Sequence, residues 1–174
     1  MPDPSKFRVF IRGTVEDVWH EITRTDAPIP AFFNSRMDVA ELAPGSKLAM
    51  RSANGRYTGV VGEITDFEPP RKFGHTFRFT NLDDPPCRVV YELEPVEGGV
   101  QFTLTIHDLP EGTKTANQMQ RGGTMIVNTL KSVIETGRPS FGTRFLYGFF
   151  RLLEFTTPKR CRSEHWPVHD GGNE

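Results

Sequence analysis

The feature that most constrains the fold is an apolar stripe late in the chain. Its positions recur at steps of four, three, four and four residues: Met119, Gly123, Ile126, Leu130 and Ile134. This spacing is typical of an α-helix with one buried face. Gly137 then provides a helix-ending signal, because glycine readily adopts the left-handed conformation of a helix C-terminus. The pattern predicts a helix over about residues 117–135, which would span about 30 Å.

The residues before this helix predict strands. A first strand alternates Phe7, Val9 and Ile11 with more polar residues, and Thr14 is a candidate N-cap for a short helix after it. A second short helix or turn is expected over residues 27–33. Six further strands are predicted at roughly 36–42, 47–51, 57–67, 72–80, 88–94 and 100–107.

The short connections between these strands predict antiparallel pairing, since parallel neighbours need a long crossover. Asn54-Gly55 favours a type I′ hairpin turn, in which both central residues have positive φ. Together the segments predict an α+β fold. In this fold a curved antiparallel sheet of six to seven strands wraps around one long C-terminal helix.

The composition restricts the possible classes of function. The chain of 174 residues has 21 basic and 22 acidic residues, so no nucleic-acid binding is expected. Its two cysteines are too few for a disulfide framework, and we expect a cytoplasmic protein. No signal peptide is predicted, because the N-terminal segment MPDPSKFRVF lacks a long enough apolar core. No membrane span is predicted either, because charged residues interrupt the most apolar run, 141–155.

The chain is predicted to divide into a domain of residues 1–137 and a C-terminal extension of residues 138–174. An extra apolar helix is expected at about 142–155, carrying Phe145, Leu146, Phe149, Phe150, Leu152, Leu153 and Phe155. A basic and polar tail, beginning PKRCR, follows it. Such a helix must be covered, so it either packs on the domain or forms a homodimer interface.

His75 is the strongest candidate for a residue that binds a ligand or exchanges a proton. In the strand 72–80 it shares one face with Phe73, Phe77 and Phe79, since alternate residues point the same way. It could bind the polar end of a ligand or exchange a proton near neutral pH. The alternative is a hydrogen-bonded cavity or core histidine with no catalytic role. Cys161, His165 and His169 are too few ligands for a convincing zinc site, so no metal or cofactor is expected.

Several segments, in the expected order, carry a family resemblance. They are VFIRGTVEDVWHEIT, DVAELAPGSKL, GEITDFEPPRKFGHTF, EGGVQFTLTIHDLP and LKSVIETG, and they cover most of residues 7–137. The chain resembles the START-like (SRPBCC, helix-grip) superfamily. Within it, the chain is similar to bacterial proteins related to the C-terminal domain of the activator of the heat-shock-protein-ninety ATPase. The resemblance implies a cavity between sheet and helix for apolar or amphipathic molecules or for protein contacts, and it implies no shared catalytic residue.

One position departs from the family. Members often carry a large aromatic residue directly after a glycine of the long helix, where this chain has Gly123 after Gly122. The missing aromatic would enlarge the cavity or let the helix approach the sheet. Alternatively, the helix starts only at these glycines.

The first functional hypothesis is therefore a non-enzymatic module that binds a small apolar or amphipathic ligand, such as a lipid. Its polar contact would come from His75 or Tyr91, and the expected lining residues are Trp19, Phe32, Phe33, Met50, Tyr57, His75, Phe77, Phe79, Tyr91, Met119, Gly123, Ile126, Val127 and Leu130. The geometry predicts that Gly123→Trp fills the cavity while the fold survives. A co-chaperone-like interaction domain is the second hypothesis, and a cyclase or hydrolase using His75 as general acid or base is the third.

Overall fold

The structure is a computed structural model and describes residues 3–169. Its elements, in chain order, are β1 (Ser5–Ile11), α1 (Val15–Thr23), a short 3-10 helix (Pro30–Phe32), β2 (Arg36–Val39), β3 (Lys47–Arg51), β4 (Thr58–Glu68), β5 (Lys72–Phe79), β6 (Cys87–Val96), β7 (Gly99–His107), α2 (Lys114–Thr136) and α3 (Phe141–Leu152). The seven strands form one antiparallel sheet in the order β1-β7-β6-β5-β4-β3-β2. This confirms the predicted helix-grip fold.

The strand register gives the sheet one apolar face. Phe73 of β5 pairs with Tyr91 of β6, and Tyr91 pairs with Leu104 of β7. Since paired residues point to the same side, these rows form a continuous inner face that continues to Phe7 of β1. The predicted alternation of inward and outward side chains in β1, β5, β6 and β7 is confirmed. The opposite, outer face carries mostly charged and polar side chains.

Helix α2 covers the inner face over β1, β7 and the Pro30–Phe32 helix. Thr113 caps its start by accepting a hydrogen bond from the Ala116 amide at 3.1 Å, and Gly137 ends it with φ 81°. The helix therefore begins at Lys114, three residues before the predicted start, and the alternative that it begins at the glycine pair is wrong.

Gly123 allows α2 to approach the sheet closely. A Cβ atom at this position would overlap the Phe7 ring, falling within 2.6 Å of Phe7 Cδ2. The space is therefore occupied by a side chain of β1, and the enlarged-cavity alternative is wrong. A tryptophan at position 123 would meet the Phe7 ring rather than a void, so we now expect Gly123→Trp to disturb the packing of α2 on β1.

The hairpin between β3 and β4 is also corrected. Gly55 has φ 77°, but Asn54 does not have positive φ, so the turn is not type I′. The turn instead closes through a hydrogen bond from the Gly55 amide to the Ser52 carbonyl oxygen at 2.8 Å. The Asn54 side chain accepts a hydrogen bond from the Ser52 hydroxyl and donates one to Glu154. These side-chain contacts favour a six-residue connection over a two-residue turn.

The C-terminal extension has two parts. Helix α3 ends at Leu152, earlier than predicted, and a 3-10 helix follows it at Glu154–Thr156. Beyond it the chain runs along the outer face of the sheet. There the Arg51 guanidinium donates to the Trp166 carbonyl oxygen at 3.0 Å, and His169 Nε2 lies 2.7 Å from Asp38 Oδ1. The sequence predicted a division into residues 1–137 and 138–174. Residues 1–2 and 170–174 lie outside the described residues, so this division remains a prediction.

Candidate functional site

His75 lies in the middle of the inner face, among aromatic rings. Its side chain is 1% exposed. The centroid of its ring lies 5.5 Å from that of Phe73, 5.9 Å from that of Tyr91 and 6.4 Å from that of Phe77. The structure therefore places an imidazole in apolar surroundings, as the alternation in β5 predicted.

The hydrogen bonding of His75 fixes its tautomer. Nδ1 lies 2.7 Å from the Thr76 carbonyl oxygen, which can only accept, so Nδ1 carries the proton. Burial lowers the pKa of the imidazole to about 4, and the ring is neutral at pH 7. Nε2 is then an acceptor, and among residues 3–169 it has no hydrogen-bond partner. Buried polar atoms without a partner are rare in folded proteins.

Most of the predicted lining residues meet in this interior. Twelve of them face it from the sheet, from α1, from the Pro30–Phe32 helix and from α2: Trp19, Phe32, Met50, His75, Phe77, Phe79, Tyr91, Met119, Gly123, Ile126, Val127 and Leu130. Two do not. Phe33 is 42% exposed and packs against Tyr147, while Tyr57 lies beside Arg162 of the C-terminal segment.

The interior is tightly packed. Tyr91 is surrounded by the rings of Phe32, Phe73 and Phe102, with centroids 5.2, 5.8 and 6.2 Å away. Concavities described for residues 3–169 lie on the outside of the molecule, against Trp166 and among the charged side chains of the outer face. Around Tyr91, a guest would have to displace aromatic side chains.

Phe77 and Phe79 are the least enclosed part of the aromatic stripe. Both are half-buried, whereas Phe73 and His75 of the same strand are fully buried. Their rings contact each other edge to face, with centroids 4.9 Å apart. The stripe thus runs from a sealed end at Phe73 to a partly open end at Phe79.

Two residues of the site were missing from the predicted lining set. Phe73 contacts His75, and its place in the same alternating stripe could have identified it. Phe7 occupies the space beside Gly123. The alternation of β1 indicates that Phe7 points inward, but only the sheet order, which makes β1 a neighbour of β7, brings it under α2.

The groups near His75 offer little for catalysis. Burial raises the pKa of the Cys87 thiol to about 11, and this keeps the thiol protonated and unreactive at neutral pH. Burial also raises the pKa of Tyr91. The three potential zinc ligands have different surroundings: Cys161 is buried, His169 contacts Asp38, and His165 lies 3.6 Å from Glu164. Within residues 3–169 no cluster of metal-ligating side chains occurs.

The architecture and the apolar interior define a helix-grip protein of the START-like class. Residues 12–135 match the family described as Activator of Hsp90 ATPase homolog 1-like protein, and the chain belongs to this family. Comparison with curated proteins gave no match. No helix within residues 3–169 is long and apolar enough to cross a bilayer.

Solved structures share the fold at low sequence identity. A putative protein of the dynemicin biosynthetic locus is 20% identical with a TM-score of 0.62, and the match covers 80% of this chain and 49%, about half, of that protein. The Aha1 dimer from Colwellia psychrerythraea is 17% identical with a TM-score of 0.61, covering 78% of this chain and 98% of the other. An HSP90 activator from Plasmodium falciparum is also 17% identical with a TM-score of 0.61, covering 79% and 99%.

Proposed function

We propose that this protein binds a small, largely apolar molecule in the interior between the sheet and α2, without catalysing a reaction. The proposal depends on one observation, the unpartnered Nε2 atom of the buried His75. An unsatisfied buried acceptor costs about 1–3 kcal/mol. A guest that donates a hydrogen bond to Nε2 would recover part of this cost.

The tautomer of His75 restricts the class of guest. Nε2 accepts, so the guest presents a hydroxyl or N–H group there. A free carboxylate would bring two more acceptors into an apolar site, and burying its charge would be costly. The surrounding aromatic rings then bind the rest of the guest by apolar contact. The expected ligand is an apolar molecule with one neutral donor, for example a long-chain or aromatic alcohol.

The partly open end of the stripe is the route of access. Phe77 and Phe79 have room to change rotamer because solvent reaches one side of them, whereas Phe73 is packed on all sides. In this proposal the two rings swing outward as the guest enters. The guest then takes the space between them and His75.

Native mass spectrometry of protein purified gently from its own host tests the proposal. We expect a population heavier than the bare chain, which reverts to the bare mass on denaturation. His75→Leu should lose most of this population, whereas the same substitution at His20, which is exposed on α1, should retain it. Equal loading of the two variants would contradict a role for His75.

An enzymatic role is less well supported. At neutral pH the imidazole carries no proton on Nε2, so it cannot act as a general acid from that atom. As a general base, a group with a pKa of about 4 is poorly matched to pH 7.

A co-chaperone-like interaction role is the second candidate, and the close packing of rings around Tyr91 is the observation that favours it. Similar structures include an HSP90 activator and an Aha1 dimer. The test is the ATPase rate of the host's own Hsp90 homologue with and without this protein. Stimulation would support the role, and an unchanged rate at saturating concentration would exclude it.

A further inference from the structure

The outward side of α3 is apolar and exposed. The helix contacts the domain through Tyr147, whose hydroxyl donates to the Pro30 carbonyl oxygen at 2.6 Å. On the opposite side, apolar residues recur at steps of four, four and three, followed by one in the 3-10 helix beyond. We call this set the α3 patch: Phe141, Phe145, Phe149, Leu152 and Phe155, exposed by 81, 72, 51, 75 and 80%.

The α3 patch is too large to be incidental. Each aromatic side chain offers about 150–250 Å² when fully accessible, so the patch presents several hundred Å² of apolar surface. Patches of this size in folded domains mark interaction sites. Residues 3–169 leave the patch uncovered, and the interior site near His75 has no part in it.

The sequence on either side of the α3 patch is rich in basic residues. Residues 138–162 contain one acidic residue, Glu154, and six basic ones, giving net +5 in a chain whose net charge is −1: Arg138, Arg144, Arg151, Lys159, Arg160 and Arg162. Arg144 and Arg151 are seven residues, about two turns, apart and share one side of α3 next to the patch. Arg160 forms an ion pair with Asp83 at 2.8 Å, whereas within residues 3–169 no ion pair is described for Arg144, Arg151 or Lys159.

We propose that the α3 patch docks on an anionic bilayer surface, with α3 lying in the plane of the interface. Interfacial helices combine phenylalanine and leucine on one side with arginine and lysine beside them. The apolar side chains enter the boundary between headgroups and acyl chains, and the arginines contact lipid phosphates and other anionic headgroups. The proposal is independent of the interior ligand site.

Charge distinguishes the bilayer from a second copy of this chain as the occupant. Two α3 patches face to face would bring Arg144 and Arg151 of both copies close to one another. The single acidic residue of each segment, Glu154, already accepts a hydrogen bond from Asn54 at 2.8 Å. Like charges across an interface oppose association, whereas anionic lipids complement this surface.

Flotation of the full-length protein with lipid vesicles tests the proposal. We expect binding to phosphatidylcholine vesicles containing about 30% phosphatidylserine, and binding to pure phosphatidylcholine at least about fivefold weaker. The double variant Phe145→Ser/Leu152→Ser should reduce partitioning about tenfold or more. As its control, Val96→Ser changes an exposed apolar residue at the far end of β6 and should bind like wild type.

The arginines are tested in the same assay. Arg144→Gln and Arg151→Gln should each weaken binding to the anionic vesicles about fivefold and leave binding to neutral vesicles unchanged. Arg121→Gln on α2 is the matched control and should have no effect. Circular dichroism and thermal unfolding verify that every variant is folded.

Three results would overturn the proposal. One is the absence of wild-type binding to the anionic vesicles, and another is equal binding to anionic and neutral vesicles. The third is a dimer, detected by sedimentation velocity without lipid, that dissociates in Phe145→Ser/Leu152→Ser; the patch would then be a self-association surface.

Discussion

Acidification provides a sharp test of the environment of His75. Burial lowers the pKa of its imidazole to about 4, whereas the unfolded chain has a histidine pKa of about 6.5. Below pH 6.5 the unfolded state therefore binds a proton that the folded state does not take up. Stability must fall as the pH falls from about 6.5 towards 4, because protonation favours the unfolded chain.

The size of this effect follows from the two pKa values. From pH 7.5 to pH 5, His75 alone removes about 2 kcal/mol from the free energy of unfolding. The full difference of 2.5 pKa units corresponds to about 3 kcal/mol, which is reached below pH 4. In a domain of this length, 2 kcal/mol lowers Tm by about 4–8 °C.

The assay is urea unfolding of ligand-stripped wild type and His75→Leu at pH 7.5 and pH 5. All other titrating groups are common to both proteins, so the difference between their pH dependences isolates His75. We expect wild type to lose about 2 kcal/mol more than the variant over this interval. His20→Leu, at an exposed histidine of α1, is the matched control for the substitution itself.

The same pH dependence in wild type and His75→Leu would refute the reasoning. That result would mean that His75 takes up its proton equally well in the folded and unfolded states. The ring would then be solvated or hydrogen-bonded at Nε2, and the acceptor proposed to recruit a guest would already have a partner.

Three further predictions concern contacts that hold the elements of the fold together. Gly123→Ala should lower the free energy of unfolding by about 1–3 kcal/mol, because its Cβ meets the Phe7 ring. Gly122→Ala places its Cβ 3.4 Å from the exposed Phe33 ring and should raise the free energy of unfolding by up to about 1 kcal/mol. Urea unfolding of both variants measures these changes. Tyr147→Phe removes the hydrogen bond to the Pro30 carbonyl and should cost about 1 kcal/mol and speed amide exchange in α3. Trp166→Ala removes the cation–π contact with Arg78 at 5.3 Å and should expose the C-terminal segment to proteolysis, measured against wild type on a gel.

The sheet and α2 were predictable because each has a simple period. Alternation in β5, β6 and β7 assigned their inner faces, and the antiparallel order followed from short connections. The hairpin at Asn54-Gly55 was predicted correctly, but its turn type was not, because the Ser52 and Asn54 side chains form their own hydrogen bonds. Such side-chain competition is invisible to a rule based on two residues.

Long-range contacts limited the prediction of the site. The sequence indicated that Gly123 faces the sheet, but whether it borders a void depends on Phe7, 116 positions earlier, reaching under α2. The position of Tyr57 likewise depends on the return of the C-terminal segment to the outer face, where Arg162 pairs with it. Neither contact leaves a periodic signal in the sequence.

The central claim is that a guest in the interior donates a hydrogen bond to His75. The most direct measurement is the nitrogen chemical shift of His75 Nε2 in stripped protein, before and after adding back the organic extract of natively purified protein. The account predicts that the Nε2 signal of His75 moves while the ring signals of His20 and His165, both exposed, stay in place. An unchanged His75 signal, with shifts confined to the side chains of α3, would contradict it.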